Sequence, residues 1–537
     1  MKIIIPVIGG LALFLYGMNL MGNGLQKVAG SRLKSIVGAL TKNKYIGVLV
    51  GVVVTMVIQS SSATTVMVIG FVNAGIMNLS QAVGVIIGAN LGTTVTGQII
   101  AFNINSLIPI AIAVGVLLGF ISKKDNIKDA GEIFIGFGLL FLGMQTMSDG
   151  LNPLTEMPWF TDAILKLNNP IIGIPVGIGL TTAVQSSSAS IGLLEALGKQ
   201  GLIGISQAFP VLFGDNIGTT TTALISTVGA SKNAKRAGII HLLFNVVGTI
   251  IFMFILRKPV EYLVVRISPG NVARQIANAH TIFNLINVAI QLPFSGYLVK
   301  AAYFLVPGDD KDEQKVAQYL DNRILETPSI AIIQAKKEVV HMGSIVLDNL
   351  NTVKNAILMS DAKNVKILKE IYDREKNINQ LEQEIIEYLV QLSNKNLSEE
   401  QNTQVFIMQD AINDLERMGD HIVNVTNLLE IIQKDELDFS DLANEEFENM
   451  INMTREIVEK AMYAFENDDD KVALEALEIE DKIDEAEKVY RHNHIRRINK
   501  GICVPSIGVN FLDMISNLER ISDHCVNISN YVLKREI

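Results

Sequence analysis

Sliding the chain along itself by 126 residues is the operation that most narrows its fold. That shift lays Gln59-Ser60-Ser61-Ser62-Ala63 on Gln185-Ser186-Ser187-Ser188-Ala189, and GANLGTT (88–94) on GDNIGTT (214–220). Ser80-Gln81-Ala82 falls on Ser206-Gln207-Ala208, and 21 of the 51 positions from 46 to 96 match their partners without a gap. Further back, Gly17-Met18, Met21 and Gly24-Leu25 land on Gly143-Met144, Met147 and Gly150-Leu151. A unit of roughly ninety residues, about 10–101 and 136–227, is present twice, as secondary transporters often are.

The setting of the two copies is apolar. Residues 1–305 hold 19 Lys+Arg and 9 Asp+Glu, giving +10; residues 306–537 hold 26 and 46, giving −20, and the two make the whole chain's −10. A sparsely charged, Gly-rich, apolar stretch of that length belongs in a lipid bilayer, and a charged tail belongs in water. The boundary falls near Pro307-Gly308-Asp309-Asp310, so the expected division is a membrane domain (1–305), a linker (306–324) and a soluble helical domain (325–537). Cys503 and Cys525 are too few for a disulfide framework and fit no zinc spacing, which suits a reducing, cytoplasmic tail. The apolar start, MKIIIPVIGGLALFLYGMNL, has no small-x-small cleavage signal and reads as a retained first span.

Charge predicts how the copies lie. The loop 26–44 carries Lys27, Arg32, Lys34, Lys42 and Lys44 with no acid, whereas its mate 152–170 carries Glu156, Asp162 and Lys166. Equivalent loops on opposite sides of the bilayer imply inverted copies about a pseudo-twofold axis in the membrane plane. Lys123, Lys124 and Lys128, and then Lys232, Lys235 and Arg236, fit the cytoplasmic side in that count; Arg257, Lys258, Arg266 and Arg274 do not.

Within the apolar repeats the conspicuous polar groups form two sets. The segment from Ile46 to Phe71 is long enough to cross once as a helix, or to enter and return as a hairpin. Serines at a hairpin tip would leave the N–H groups of a broken helix free and add hydroxyls that donate and accept. A half-helix N-terminus aims positive partial charge there and favours an anion. Gln59, Ser60, Ser61, Ser62, Gln185, Ser186, Ser187 and Ser188, with Thr94 and Thr220, are the candidate anion ligands. In the second motif, glycines would let the backbone unwind or approach closely, and Asn90, Thr93, Asn216 and Thr219, with Thr64, could coordinate a small cation. Asp215, opposite Ala89, strengthens that cation reading, because a carboxylate at membrane depth is costly unless it pairs or binds an ion. Glu195, opposite Ile69, is a second intramembrane acid. The repeat core (46–101 and 171–227) has one basic residue, Lys199, so an oxyanion there would be held by neutral donors and balanced by cations. Sodium-coupled transport of an oxyanion, with phosphate the leading candidate, follows.

The paired QSSSA, GANLGTT and GDNIGTT motifs resemble the type II sodium-phosphate cotransporter family over about 10–305. The resemblance implies an all-α polytopic membrane protein, paired re-entrant hairpins, phosphate held at the serine motifs and Na+ bound nearby. Plasma-membrane location and alternating access follow from it, and a homo-oligomer stays open. His241-Leu-Leu-Phe-Asn245 and His280-Thr-Ile-Phe-Asn284 share the spacing H-x-x-F-N, which puts His and Asn on one helix face and suits hydrogen bonds between helices.

The tail is duplicated as well. LERMGDH (415–421) recurs as LERISDH (518–524), 103 residues on, while Glu375 and Glu382 match Glu480 and Glu487. Long Leu/Ile/Val-periodic segments read as two three-helix bundles. Glu416 with Asp420, and Glu519 with Asp523, are i,i+4 pairs whose carboxylates point the same way, a spacing able to hold a metal ion. Arg417 and Arg520 would neutralise them in an ordinary solvated face, and His421 and His524 read as surface residues. This part resembles the PhoU domain, a regulator of phosphate uptake, over about 325–537; the resemblance implies a carboxylate metal cluster on the bundle and control of the carrier by the tail.

Other classes fit less well. An intramembrane serine hydrolase would need a G-x-S-x-G elbow, which is missing, and no reason exists to duplicate a nucleophile symmetrically; the chain is not expected to be an enzyme. The basic residues are scattered without aromatic platforms, which argues against nucleic acid. A membrane receptor that binds phosphate without moving it shares every residue argument, and another oxyanion would need similar donors.

Overall fold

The computed structural model describes residues 3–38, 43–102, 105–122, 125–308, 316–357, 364–434 and 439–533. These are helices and turns, with no strand among the described residues. Lys42, Lys123, Lys124, Asp309 and Asp310 lie outside them. The chain divides into two compact units, Met1–Glu313 with Asp321–Ile330, and Gln314–Leu320 with Ala331–Ile537.

The first unit opens with α1 (Ile4–Gly38), α2 (Lys44–Ile58), α3 (Ser61–Asn73) and α4 (Leu79–Ile100), followed by α5 (Ile108–Ile121). The second copy supplies α6 (Asp125–Leu151), α7 (Pro158–Lys166), α8 (Pro170–Val184), α9 (Ser187–Lys199), α10 (Ile205–Gly218) and α11 (Thr220–Ser226). A shift of 126 carries the ends of α2 and α3 onto those of α8 and α9 residue for residue, and α4 onto α10 and α11 together. Then come α12 (Lys232–Ile251), a π turn (Phe252–Leu256), α13 (Arg257–Ile267), α14 (Val272–Gln291) and α15 (Ser295–Leu305). Four described helical runs are long and apolar enough to cross a membrane, or six if each of two bent pairs is one span.

Of the two readings left open for Ile46–Phe71, the hairpin is the one observed. Helix α2 has 15 residues and α3 has 13; at 1.5 Å per residue each is about 20 Å long, short of a hydrocarbon core of about 30 Å. Thr55 Oγ1 donates to Thr64 Oγ1 at 3.0 Å, a contact that a continuous helix could not bring together. The reversal is made locally. Gln59 stands at φ 62°, in the left-handed region, and ends α2 with its N–H on the Thr55 carbonyl. Ser60 is extended, and its Oγ accepts from Ala63 N at 3.1 Å as the N-cap of α3. Gln185 (φ 55°) and Ser186, whose Oγ accepts from Ala189 N at 3.2 Å, repeat this at α8–α9. Only three non-glycine residues among those described have positive φ, and two are these glutamines. Such conformations are strained and gather at functional positions.

The copies are inverted at the helices that join them. A Cβ on Gly10 would meet Gly143 O at 2.6 Å and one on Gly136 would meet Gly17 O at 2.6 Å; Gly17 faces Gly136 O and Gly143 faces Gly10 O in the same way. Numbers rise along α1 as they fall along α6, so the two equivalent helices run antiparallel. Each contact also has its image under the exchange of copies, which is the signature of a twofold interface. The exchange continues deeper: the end of α4 packs on α9, and α11 packs on α3. Each half therefore lays its last repeat helix against the serine-headed helix of the other.

Of the two roles open to the glycines of GANLGTT, unwinding of the backbone or close approach, the structure shows the second, since α4 runs unbroken through them. Their task is close approach. A Cβ on Gly88 would sit 2.2 Å from Val48 O, and one on Gly214 2.2 Å from Ile174 O. In the second copy the helix is interrupted only at Thr219, between α10 and α11.

The second unit holds α16 (Pro328–Ile357), α17 (Asn364–Ser393), α18 (Glu399–Lys434), α19 (Asp441–Asn467), α20 (Asp470–Asn499) and α21 (Pro505–Leu533). They form two three-helix sets that meet along α18 and α21. His421 and His524, expected at the surface, stand in that seam with ring centroids 5.7 Å apart. His421 Nδ1 bonds Asn517 Oδ1 at 2.8 Å, and His524 Nδ1 bonds Asp414 Oδ1 at 2.7 Å. Since 414 and 421 map on 517 and 524 under the shift of 103, the tail has a pseudo-twofold of its own.

Candidate functional site

The serine sets head two half-helices. Ser61, Ser62, Ser187 and Ser188 occupy the first turns of α3 and α9, where backbone N–H groups have no carbonyl one turn earlier to bond. Ser61 and Ser188 are buried, while Ser62 and Ser187 are half-buried. The glutamines differ: Gln59 is buried and its Oε1 accepts from Thr96 Oγ1 at 2.8 Å, whereas Gln185 is exposed. Thr94 and Thr220 hold their hydroxyls on their own helices, to Leu91 O at 2.8 Å and Ile217 O at 2.7 Å.

Asn90, Thr93, Asn216 and Thr219 likewise donate back to carbonyls one turn away, at 3.2, 3.2, 2.9 and 2.9 Å. Their side chains are satisfied within the helix rather than by freed backbone. Each keeps an oxygen that can still accept or coordinate. Thr64 is tied to Thr55 and to Ser60 O at 3.0 Å.

Asp215 makes the two halves unequal. It is fully buried, and its Oδ1 accepts from Thr181 Oγ1 at 2.8 Å and Ser190 Oγ at 2.7 Å, while Oδ2 has no partner. Thr181 and Ser190 are the equivalents of Thr55 and Thr64, which in the first copy bond directly to each other over Ala89. The second copy thus opens that neutral contact and inserts a carboxylate. Sequence reading missed Thr181 and Ser190; the signal was the repeat itself, since both stand at positions whose mates are threonines.

The paired H-x-x-F-N stretches use Asn inside the helix. Asn245 Nδ2 donates to His241 O at 3.0 Å and Asn284 Nδ2 to His280 O at 3.1 Å. Bonds between helices come from His241 Nε2 with Asn90 Oδ1 at 3.4 Å and from Gln291 Nε2 to Phe244 O at 2.9 Å. Two arginines that broke the loop-charge pattern are engaged with backbone: Arg257 with Ser206 O at 2.9 Å, and Arg274 with Gln98 O at 3.2 Å and over the Phe102 ring. Lys199 is exposed at the end of α9.

In the second unit, Glu416 and Asp420 on α18 gather with Glu375 and Glu382 of α17. Glu375 is buried with both oxygens unpartnered. Burial, then the charges of Asp420 and Glu416, push its carboxyl up to about 7. Burial and then Asp523 raise Glu519; burial raises Asp523, and Asp484 adds to both. Among the described residues no three His, Cys, Asp or Glu side chains stand at metal-ligand distance. The clusters are concentrations of like charge rather than formed coordination spheres.

Comparison with known proteins places these features. A family model described as Na+/Pi-cotransporter matches residues 13–149 and 159–291, and a PhoU domain model matches 339–429 and 447–532. An uncharacterised protein, YqeW of Bacillus subtilis, is 32% identical over 308 residues, 57% of this chain and 99% of that one. The putative inorganic phosphate export protein YjbB of Escherichia coli is 25% identical over 434 residues, 79% of each chain. The sodium-dependent phosphate transport protein 2A of Rattus norvegicus is 23% identical over 383 residues, 46% of this chain and 60% of that one.

The inserted carboxylate generates a prediction. Ser190→Ala removes one of the two hydrogen bonds to the buried Asp215 carboxyl and should lower stability by about 1–3 kcal/mol, whereas Thr64→Ala, which breaks a hydroxyl–hydroxyl contact, should cost about 0.5–1.5 kcal/mol. Melting of the detergent-solubilised chain in sodium-free buffer measures both; equal losses would mean that Asp215 is not relying on that hydroxyl.

Proposed function

Because the chain belongs to the Na+/Pi-cotransporter family and carries a PhoU domain, we propose that it moves inorganic phosphate across the cell membrane together with sodium. The phosphate is held between the serine-headed helices α3 and α9, and Na+ lies at Asp215. The observation that carries this reading is the pair of helix starts at Ser60 and Ser186, half-buried with Ser61 and Ser188 buried behind them, each built by a strained glutamine and each heading a helix packed on the other copy's last repeat helix. Their N–H groups, hydroxyls and helix dipoles supply donors without a fixed positive charge. A tetrahedral oxyanion accepts many such bonds, and without a neighbouring Lys or Arg its charge is offset by co-bound cations. Asp215, with its unpartnered Oδ2 and the hydroxyls of Thr181, Ser190 and Thr219 nearby in the structure, is suited to one of those cations. Thr64, Asn90 and Thr93 are the corresponding groups of the first copy.

Alternating access follows from inverted copies, because exchanging the conformations of the two halves exchanges the side to which the centre opens. The names of two relatives, phosphate export in one case and sodium-dependent phosphate transport in the other, support phosphate as substrate. Direction is then set by the combined gradients. The free thiols Cys503 and Cys525 and the lysine-bearing loops support a cytoplasmic tail.

The flux test uses purified chain in liposomes with labelled phosphate. An imposed sodium gradient should drive accumulation, and Ser60→Ala, Ser186→Ala and Asp215→Asn should each lower the rate at least tenfold, the last with a raised sodium requirement. Tight phosphate binding with no sodium-driven flux would instead favour a receptor that signals through the tail, and sulfate outcompeting phosphate would reassign the substrate.

For the tail, the reading is that Glu416 with Asp420, and Glu519 with Asp523, close on divalent cations with Glu375 and Glu480 by side-chain rotation, relieving the crowded charge. Mn2+ should raise hydrogen-exchange protection of α17–α18 and α20–α21 in the full chain, and Asp420→Asn with Asp523→Asn should remove the effect. Protection unchanged by Mn2+ in the wild type would leave these carboxylates as a solvated acidic face.

A further inference from the structure

Glu195 is the second buried acid of the membrane unit, and nothing in the transport reading uses it. It is 0% exposed and neither carboxylate oxygen has a hydrogen-bond partner. On α14, His280 is 1% exposed, and its Nδ1 is unpartnered too. Both look into one notch. A Cβ built on Gly97 of α4 would lie 3.7 Å from His280 Nδ1 and 3.9 Å from Glu195 Oε1, so the missing side chain of Gly97 is the space between them.

The positions related to these two by the repeat carry hydrocarbon. The mate of Glu195 is Ile69, and the mate of Gly97 is Ala223, both fully buried. The polar notch, which lies between α9 of the second copy and α4 of the first, therefore has no polar image under exchange of the copies, as Asp215 has none. The two acids nevertheless have different company. Asp215 is met by hydroxyls and stands one turn from Thr219; Glu195 has a single imidazole nitrogen across the gap. Alkali ions want several oxygen ligands, whereas one carboxylate and one imidazole lone pair are the natural partners of a proton.

The charged and titratable groups around Glu195 are few. Lys199 on its own helix and Arg274 on α14 act on it through space, and neither forms an ion pair with it: Lys199 is exposed, and Arg274 is spent on Gln98 O and Phe102. On α10, Asp215 is held by Ser190 of α9. Helices α4 and α8 contain no titratable side chain, the acid of α6 at its α9-facing end, Asp149, is exposed, and α1 meets α9 there through Phe14 against Gly192.

We propose that Glu195 and His280 form a proton-binding site at Gly97, in which the protonated carboxyl donates toward His280 Nδ1, directly or through one water in the notch. A bare carboxylate in such a place is expensive, so the site keeps its proton until a nearby cation or a rearrangement of α4 on α9 offsets the charge. When it releases, the proton goes to water on the side then open, and the chain's net charge changes by one. That coupling to the transport cycle rests on the reading above; the site itself does not.

The test is infrared difference spectroscopy of the full chain in lipid. A protonated carboxyl band that shifts in D2O should be present, lost in Glu195→Gln, moved in frequency by His280→Gln and by Gly97→Ala, and unaffected by Asp215→Asn. Gly97→Ala places a methyl at ordinary contact distance, so it fills the notch without breaking the fold. In liposomes, the pH dependence of phosphate flux at fixed dianion concentration should flatten in Glu195→Gln. A Glu195→Gln spectrum indistinguishable from wild type in the carboxyl region would overturn the proposal, leaving Glu195 as an ionised counter-charge to Lys199 and Arg274. The assigned band persisting in a chain that moves no phosphate would uphold the proton site while defeating the transport reading.

Discussion

Everything distinctive in the membrane unit depends on two helix starts held away from water. A buried start leaves N–H groups that must find acceptors, and lipid offers none. Hydrogen bonds from Ala63 and Ala189 to the serine caps satisfy one donor in each half. Of the strained glutamines that create these starts, Gln59 is buried and held by Thr96 Oγ1 at 2.8 Å, while Gln185 is exposed. A duplicated gene product folded about a pseudo-twofold can set two such incomplete ends against one another, where a single hairpin would leave its own exposed to hydrocarbon.

Symmetry provides the frame, and departures from it provide the chemistry. The α1–α6 crossing repeats its glycine contacts faithfully under exchange of the copies, as does the His421–Asn517 and His524–Asp414 pair in the tail. At the centre the copies diverge: Asp215 replaces Ala89, Glu195 replaces Ile69 and Gly97 stands where the other half has Ala223. Asp215 and Glu195 lie in the second copy and Gly97 in the first, and each puts a polar group or open space where its mate carries hydrocarbon. The second copy's hairpin and the helix crossing it thus carry the buried acids of an architecture whose serine-capped helix starts remain paired in the two copies.

Much of this was legible in the residues because a gapless repeat constrains structure twice over. The hairpin turns coincide with QSSS, the helix ends obey the 126-residue shift, and Asp215 stood out as an intramembrane acid before any coordinates. What could not be read was who touches whom across helices. Glycine in GANLGTT fits both unwinding and close approach, and only the 2.2 Å separation of a built Cβ from Val48 O decides for the latter. His421 and His524 lie on a polar stretch of helix, so their place in the α18–α21 seam depends on which faces pair, a property of the bundle and not of either segment. Thr181 and Ser190 look like ordinary helix-bonding hydroxyls until α10 brings Asp215 between them.

The central claim is that a tetrahedral oxyanion sits between the two serine-capped helix starts. Arsenate has the shape and charge of phosphate and scatters anomalously, so the structure of the full chain soaked with arsenate and sodium addresses the claim without relying on flux. The account predicts one dominant arsenic peak within hydrogen-bonding reach of the first turns of both α3 and α9. A peak at one hairpin only, or in the tail with none at the serine caps, would contradict it.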